Sequence, residues 1–272
     1  FWTPQWIAKA MVAYAAQNTS LLFDPATGNG AFLEALQSLK LASINYLGTD
    51  VDEQVLQNSI YNNQICQIER RDFIENPPQE KFRAIVGNPP YIRHHRMTKE
   101  TKQTLKNLAT SVLGFSIDGR VGYHIYFLIQ ALNLLKDNGR LAFIMPADTC
   151  EGIAAEKLWR WITTYYCLEC VITFDKRATP FPTIDTNALV FMIKKAKPNK
   201  NFVWVKTLEP REDELLTLVK SDFKHIGFSH LEISERDLAE GLQTGLSRPK
   251  QLESMSKYQL KDFAKVMRGI AT

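Results

Sequence analysis

The sequence predicts an α/β protein whose core is a doubly wound, mostly parallel sheet. Helical and strand patterns alternate along the chain, a glycine-rich turn joins the first predicted strand to a helix, and acidic or amide residues directly follow several strands. With 272 residues, of which 45% are hydrophobic and 23% charged, the chain has the size and composition of one large globular domain. Ligands of such a sheet bind at the carboxyl ends of its strands, so the residues at those ends carry the functional prediction.

The predicted elements follow one another from the amino end. Helices are expected at residues 4–16, 31–39, 53–63 and 123–135, and strands at residues 21–23, 44–49, 66–70, 82–87, 140–145, 168–174 and 188–194. The sequence Asp137-Asn138-Gly139 is typical of the end of a helix. The charged, glycine-containing stretch from Arg93 to Gly122 predicts a mobile loop.

Composition narrows the class of protein. The chain has no long apolar run and opens without a basic flank followed by an apolar stretch, so we expect neither a membrane span nor a signal peptide. Four cysteines make no disulfide framework and favour a reducing, cytoplasmic location. Cys167 and Cys170 have C-x-x-C spacing, but their apolar surroundings favour packing, and no metal is expected. The net charge of +4 is compatible with a polyanionic partner, and the absence of an initial Met favours a fragment of a longer protein.

The most informative motif is the tetrapeptide Asn88-Pro89-Pro90-Tyr91, which follows the apolar run at residues 82–87. Two consecutive prolines cannot continue a central strand, because each lacks the N–H that a strand ladder needs. The chain is therefore expected to form a stiff turn that presents an amide, backbone carbonyls and an aromatic ring. The Asn88 oxygen and a proline carbonyl can accept both hydrogens of an exocyclic amine, while Tyr91 stacks on the ring that bears it. The tetrapeptide predicts an enzyme that methylates an amine.

The glycine turn, residues 24–30, predicts a site for a nucleoside-bearing ligand. It lacks the third glycine of the dinucleotide fingerprint, and Asp24 would repel a pyrophosphate. The same carboxylate would attract the ammonium and sulfonium end of S-adenosylmethionine. At the next strand ends, Asp50 can accept both ribose hydroxyls, and Asp72 with Phe73 can bind the adenine amine and ring. One such acid alone could be a helix cap, but three in succession favour a cofactor site.

With these residues, the chain resembles the adenine-N6 DNA methyltransferases in the gamma order, in which the cofactor motifs precede the catalytic one. The similarity covers residues 1 to about 195. It implies a Rossmann-like, S-adenosylmethionine-dependent methyltransferase fold and the modification activity of a restriction–modification system. It also implies double-stranded DNA as a partner and a restriction nuclease that is fused or associated.

The resemblance assigns roles to individual residues. Those implied to bind the cofactor are Thr3, Asp24, Ala26, Gly28, Gly30, Asp50, Asp72, Phe73 and Asn88. Those implied to be catalytic are Asn88, Pro89, Pro90 and Tyr91. Tyr91 and Phe181 are implied to stack on the target base from its two sides after it has swung out of the duplex.

The resemblance also implies a division of the chain. Residues 1–195 are expected to form the cofactor-binding catalytic domain. Residues 196–259, which are charged and weakly patterned, are expected to be a connecting region. Residues 260–272 look like the opening of a target-recognition domain, most of which is absent from the chain.

The expected chemistry is a direct displacement, because a sulfonium methyl is already activated. The sequence contains no Pro-Cys pair, which disfavours the cysteine-dependent route to C5 of cytosine. Two basic runs could hold DNA phosphates, although a solvated charged surface explains each equally well. The first run contains Arg93, Arg96, Lys99, Lys102 and Lys106, and the second contains Lys194, Lys195, Lys197 and Lys200.

Three alternatives stay open at this point. The tetrapeptide also suits an RNA base amine or a protein glutamine amide. A non-catalytic DNA-binding or assembly subunit could keep the fold, although the intact motifs disfavour it. A nicotinamide oxidoreductase is disfavoured by the incomplete glycine fingerprint.

Overall fold

The computed structural model describes residues 2–250, apart from 58, 62–63, 153, 184–186 and 225–226. In this part of the chain the strands are β1 (Leu21–Asp24), β2 (Asn45–Asp50), β3 (Cys66–Arg70), β4 (Phe82–Gly87), β5 (Leu135–Pro146), β6 (Cys167–Phe174), β7 (Ala188–Lys194), β8 (Asn201–Thr207) and β9 (Leu231–Asp237). They form one sheet in the order β3-β2-β1-β4-β5-β7-β6-β8-β9. Strands β1 to β5 pair in parallel, as do β6 and β8, whereas β7 is antiparallel to both neighbours and β9 to β8.

Helices cover both faces of this sheet. They are α1 (Gln5–Ala15), α2 (Ala31–Ser38), α3 (Glu53–Leu56), α4 (Lys99–Leu113), α5 (Tyr123–Asn133), α6 (Asp148–Glu151), α7 (Ala155–Tyr165), α8 (Glu212–Lys220) and α9 (Leu238–Thr244). One apolar cluster packs α1, α2 and α8 on the first face, and a second packs α4, α5 and α7 on the other. The predicted α/β class with a mostly parallel sheet is confirmed.

The order of the strands places a crevice between β1 and β4. From β1 the chain moves to β2 and β3 on one side, and then crosses to β4 on the other side. Such a reversal separates the two loops that leave the carboxyl ends of adjacent strands, which is where open α/β sheets bind ligands. The glycine turn leaves β1 at this point, and the tetrapeptide leaves β4.

Because β7 runs antiparallel to β5, the loop before β7 lies on the same side of the sheet as the crevice, where the parallel strands have their carboxyl ends. Ala188 at its start pairs with Pro146 at the end of β5, and Lys194 at its end pairs with Arg140. The connection at residues 175–187 therefore lies at the same edge as the tetrapeptide. Lys194 lies toward the opposite edge, about 20 Å away at the usual rise of a strand.

Three predicted elements differ from the structure. The helix expected at residues 53–63 is the single turn α3 followed by a 3-10 turn, Ser59–Tyr61. The helix expected at residues 123–135 ends at Asn133, and Asp137-Asn138-Gly139 lies within β5, where Asn138 has a φ of 61°. The stretch predicted as a mobile loop contains α4, which begins after the cap Thr98 and ends at a left-handed Gly114.

The segment predicted as a connecting region adds β8 and β9 to the same sheet, with α8 and α9 beside them. Arg236 in β9 is fully buried. Its guanidinium donates to Glu240, Thr244 and the carbonyls of Gly245 and Arg248, which fixes the chain after α9. The domain boundaries themselves stay a prediction, and residues 260–272 lie outside the described part of the chain.

Cys167 and Cys170 lie buried in β6, and burial raises the pKa of both thiols. Among the described residues, no group of three or more His, Cys, Asp or Glu side chains is arranged to hold a metal ion. None of the described helices combines the length and the apolar character that a bilayer-spanning segment needs.

Candidate active site

The glycine turn is tied to the end of β2. Thr27 donates from its backbone N–H and its hydroxyl to the Thr49 carbonyl, at 3.1 and 3.0 Å, and the Gly28 N–H donates to Asp50 Oδ2 at 2.9 Å. Gly28 has a φ of 54°, and a Cβ there would lie 2.9 Å from the Trp2 ring. The turn therefore requires glycine both for its backbone conformation and for the close approach of Trp2.

Asp24 lies beneath this turn, not at the surface of a cavity. The carboxylate is fully buried, and it accepts from the Tyr46 hydroxyl at 2.7 Å and from the Ala26 N–H at 3.1 Å. Burial raises the pKa of Asp24 to about 7, and the nearby charge of Asp50 adds to the rise, while the two hydrogen bonds oppose it. The expected contact with the charged end of a cofactor differs from this placement, because Asp24 is still part of β1 and its side chain points into the core.

Two cavities lie side by side at this edge of the sheet. The first, which we call the glycine-turn cavity, has a volume of about 640 Å³. Its lining includes Trp2, Thr3, Ala26, Gly28, Asp50, Asp72, Phe73, Asn88, Pro89, Pro90 and Tyr91. The second, the arginine cavity, has a volume of about 840 Å³, and its lining includes Tyr91, Arg93, Arg96, Arg120, His124, Asp148 and Asn187. Tyr91, Ile92 and Arg96 line both cavities.

The acidic wall of the glycine-turn cavity comes from β2 and from the turn after β3. Asp50 holds the Gly28 and Asp52 N–H groups, so its carboxylate is fixed against the turn. Asp72 Oδ1 accepts from two backbone N–H groups at 2.8 and 3.0 Å, which fixes the second carboxylate. Phe73 is buried against Phe127, with ring centroids 5.1 Å apart. The cavity thus offers two oriented carboxylates, an apolar ring and a glycine backbone.

Tyr91 is the residue of the tetrapeptide that lines both cavities, whereas Asn88, Pro89 and Pro90 line the glycine-turn cavity. The Tyr91 hydroxyl donates to the Ile144 carbonyl at 3.2 Å, and burial raises the pKa of Tyr91. The rings of His124 and Phe181 lie 5.9 and 6.4 Å from the Tyr91 ring, at interplanar angles of 73° and 76°.

Phe181, the second predicted stacking residue, meets the Tyr91 ring edge to face, and its stacking on a base stays a prediction. It is 4% exposed and meets Tyr91 edge to face, whereas two rings that enclose a base are parallel. The difference arises because Phe181 belongs to the connection at residues 175–187 and packs into the apolar cluster beside α1.

The two basic runs have different positions. Arg93 and Arg96 line the arginine cavity together with Arg120, whose guanidinium makes two hydrogen bonds to Asp118 at 3.0 and 2.8 Å. Lys99, Lys102 and Lys106 lie on the neighbouring helix α4. The second run is at the opposite edge, where Lys195 donates to the Leu135 carbonyl at 3.0 Å. The two runs lie on opposite sides because β7 is antiparallel to β5, and phosphate binding by either run stays a prediction.

Sequence reasoning missed several residues of the site. Asp148 follows β5 as Asn88 follows β4, so the rule that polar residues at strand ends carry function would have found it. Arg120 and His124 gave no such signal, because their positions depend on how the chain folds back after α4. Trp2 is 59% exposed over the glycine turn, and only the structure shows that contact.

The sequence profile of the Eco57I restriction-modification methylases matches residues 12–181. The chain belongs to the Eco57I restriction-modification methylase family. It is 25% identical over 217 residues to the type II methyltransferase M.HincII of Haemophilus influenzae. That alignment covers 79% of this chain and 41% of the relative. It is 27% identical over 197 residues to M.AccI of Acinetobacter calcoaceticus, which covers 71% of this chain and 36% of that protein.

The chain therefore spans less than half the length of these relatives. A solved structure of the type IIG restriction endonuclease BpuSI superimposes with a TM-score of 0.70 at 17% identity, over 90% of this chain and 32% of that one. This likeness confirms the fold. Family and fold together imply S-adenosylmethionine as the cofactor of this methylase.

The glycine-turn cavity fits that cofactor. Gly28 and Asp50 both line it, so the cavity has a backbone that a ligand can approach closely and a carboxylate of the kind that accepts ribose hydroxyls. Asp72 and Phe73 form a polar and an apolar wall on the far side, which suits the amine and ring of adenine.

Proposed function

We propose that this methylase transfers a methyl group from S-adenosylmethionine to the N6 amine of adenine in double-stranded DNA, as the modification activity of a restriction–modification system. The observation that carries the proposal is the position of the tetrapeptide. It lies at the carboxyl end of β4, where the glycine-turn cavity adjoins the arginine cavity, so one turn can face a methyl donor on one side and a base on the other.

The proposed cofactor residues are those that line the glycine-turn cavity. Asp50 accepts the ribose hydroxyls, Asp72 accepts the adenine amine, and Phe73 packs on the adenine ring. Thr3 and the backbone at Ala26 and Gly28 complete the site, together with Asn88. Asp24 and Gly30 support the turn: Asp24 accepts the Ala26 N–H, and Gly30, with a φ of 82°, is the N-cap residue that precedes α2.

The chemistry needs few groups, because bound S-adenosylmethionine supplies an activated sulfonium methyl. Asn88 Oδ1 and the Pro89 carbonyl accept the two hydrogens of the target amine, which aims the nitrogen lone pair at the methyl and stabilises the positive charge that develops on nitrogen. Tyr91 stacks on the base. The nitrogen–carbon bond forms as the sulfur–carbon bond breaks, and the product amine loses its proton to solvent.

Double-stranded DNA is the proposed partner, because a paired amine is unreachable until the base has swung out of the duplex, at a cost of a few kcal/mol. The arginine cavity is the proposed entrance for that base, with Arg93 and Arg96 beside it for the flanking phosphates. A target-recognition domain beginning near residue 260 and a fused or associated nuclease belong to the same proposal.

The test compares wild type with Asn88→Ala in the full-length protein. Wild type is expected to bind S-adenosylmethionine and to transfer labelled methyl to unmethylated DNA, with N6-methyladenine found after nucleoside digestion. Asn88→Ala is expected to lose about 10³-fold in turnover while its cofactor Kd stays within about threefold. Asn107→Ala, which changes an exposed asparagine on α4, is the matched control.

Strong residual methylation by Asn88→Ala would refute the catalytic role of the tetrapeptide. N4-methylcytosine in the digest, or label in RNA or protein but not in DNA, would refute the proposed substrate. Absence of cofactor binding by wild type would favour a non-catalytic subunit.

A further inference from the structure

We propose that His124 is a positioning residue for Tyr91, and that Asp148 holds His124 in the orientation this requires. The inference rests on the proposed function, in that Tyr91 is taken as the ring that stacks on the target base. It adds a buried histidine paired with an exposed carboxylate, neither of which sequence reasoning assigned to any role.

The start of α5 is bound directly to the chain that leaves the tetrapeptide. The Tyr123 N–H donates to the Ile92 carbonyl at 2.9 Å, so the first residue of α5 is fixed to the residue after Tyr91. His124 follows in the first turn of α5, is 4% exposed, and meets the Tyr91 ring at a steep angle. A displacement of His124 therefore has a direct path to the Tyr91 ring.

Two other residues, Gly122 and Asp148, determine the position of the His124 imidazole. A Cβ on Gly122 would lie 2.5 Å from His124 Cε1, so only glycine at position 122 leaves room for the ring. On the other side, Nε2 lies 3.3 Å from Asp148 Oδ1, close but not aligned as a hydrogen bond. This contact is the main cause that lowers the pKa of Asp148, so the carboxylate stays ionised beside the ring.

A residue that only filled space here would be apolar. Neither ring nitrogen of His124 makes a hydrogen bond within the described part of the chain, although both are shielded from solvent. Burying an imidazole in this way is unfavourable, and the carboxylate of Asp148 offsets that cost only when the ring keeps one orientation. The pair thus lowers the stability of the fold but fixes the orientation of the His124 ring, which is expected of a group that positions a neighbour.

The contacts that hold Tyr91 include one hydrogen bond and two ring contacts. Its hydroxyl is bound to Ile144, and its ring has edge contacts with His124 and Phe181. Ile144 anchors one end of the side chain, and the two rings fix its plane. Removing His124 takes away one of the contacts that fix this plane. A small misplacement of a group that orients the substrate costs turnover far more than it costs binding.

The first experiment is a double-mutant cycle in the full-length protein with unmethylated DNA as the substrate. His124→Ala is expected to lower kcat about tenfold or more, with the cofactor Kd within about twofold of wild type. In a Tyr91→Ala background, measured under single-turnover conditions, His124→Ala is expected to cause no further loss, because the residue through which it acts is gone. His230→Ala, which removes another histidine–carboxylate pair outside both cavities, is the control.

A second route does not depend on how well His124→Ala folds. Asp148→Asn changes an exposed side chain and is expected to lower kcat about threefold in wild type, but to have no effect when His124 is replaced by Phe. Once the methylated site is mapped, 2-aminopurine at the target position is expected to fluoresce more strongly in complexes of His124→Ala than of wild type, because the extruded base is less well stacked.

Equal losses from His124→Ala with and without Tyr91 would overturn the inference, as would equal losses from Asp148→Asn with His and with Phe at position 124. Unchanged turnover in a folded His124→Ala protein would do the same. These results leave the proposed function standing if wild type methylates DNA. If wild type neither binds S-adenosylmethionine nor methylates DNA, the proposed function fails, and the inference fails with it.

Discussion

The buried carboxylate of Asp24 predicts an unusual dependence of stability on pH. Its pKa is raised from 3.8 to about 7, mainly by burial. Between these two values the folded protein keeps a proton that the unfolded chain has lost, so the stabilisation is complete below pH 4 and is lost as the pH rises to about 7. A rise of about three pKa units corresponds to about 4 kcal/mol, of which roughly 3 kcal/mol falls between pH 5 and pH 8.

The assay is urea unfolding of wild type and Asp24→Asn, followed by tryptophan fluorescence from pH 5 to pH 8. Asn can keep the partner Tyr46 and cannot ionise, so the free energy of unfolding of wild type is expected to fall relative to Asp24→Asn by about 3 kcal/mol across this range. The other titrating groups cancel in this difference, because both proteins share them.

Tyr46→Phe is the matched variant, which is expected to shift the pH dependence of stability and not to remove it. The Tyr46 hydroxyl donates to Asp24 and favours the ionised form, so its removal is expected to move the loss of stability to higher pH. A difference between wild type and Asp24→Asn that is constant with pH would refute the reasoning, because Asp24 would then carry the same charge in the folded and unfolded chains.

The remaining predictions concern other parts of the chain. Arg236→Met is expected to lower the free energy of unfolding by about 3–5 kcal/mol in urea titrations, because it leaves the buried partners of the guanidinium unpaired, and a loss below 1 kcal/mol would contradict this. Gly28→Ala is expected to weaken S-adenosylmethionine binding about tenfold in calorimetry, because its Cβ would displace Trp2 and its φ is positive, and an unchanged Kd would count against the glycine-turn cavity. Arg96→Gln is expected to reduce the salt dependence of DNA affinity by about one phosphate contact. Lys195→Gln, on the opposite side of the sheet, is expected to leave that salt dependence unchanged. If log affinity falls equally steeply with log salt concentration for both variants, the placement of DNA beside Arg96 is contradicted.

Much of the fold could be predicted because its central strands are apolar runs that end at prolines, glycines or acids. The last strand at the β9 end of the sheet could not be predicted in this way. Four of the seven residues of strand β9 are charged, and the strand is paired on one side, so no apolar run marks it. Helix α4 did leave a signal in a lysine-rich segment, since Leu105, Ala109 and Leu113 recur every four residues and form its buried face.

Some residues of the site could likewise be predicted from local sequence, whereas others depend on contacts between distant parts of the chain. Asp50, Asp72 and Asn88 could be named from sequence because each follows a strand, and parallel strands bring their carboxyl ends to one edge. The burial of Asp24 depends on Tyr46 from the neighbouring strand, and the edge contact of Phe181 depends on the path of a long connection. No pattern along the chain reports such contacts, because each depends on residues far apart in sequence.

The connection at residues 175–187 has a consequence for which side of the site its substitutions affect. Its ends are fixed to the sheet by backbone bonds, from the Asp175 N–H to the Thr207 carbonyl and from the Ala147 N–H to the Asn187 carbonyl. Phe181 in this connection contacts Tyr91, and none of the described residues of the connection lines the glycine-turn cavity. Exchanges between these two anchors are therefore expected to act on the Tyr91 side of the site, whereas the residues that line the glycine-turn cavity come from other parts of the chain.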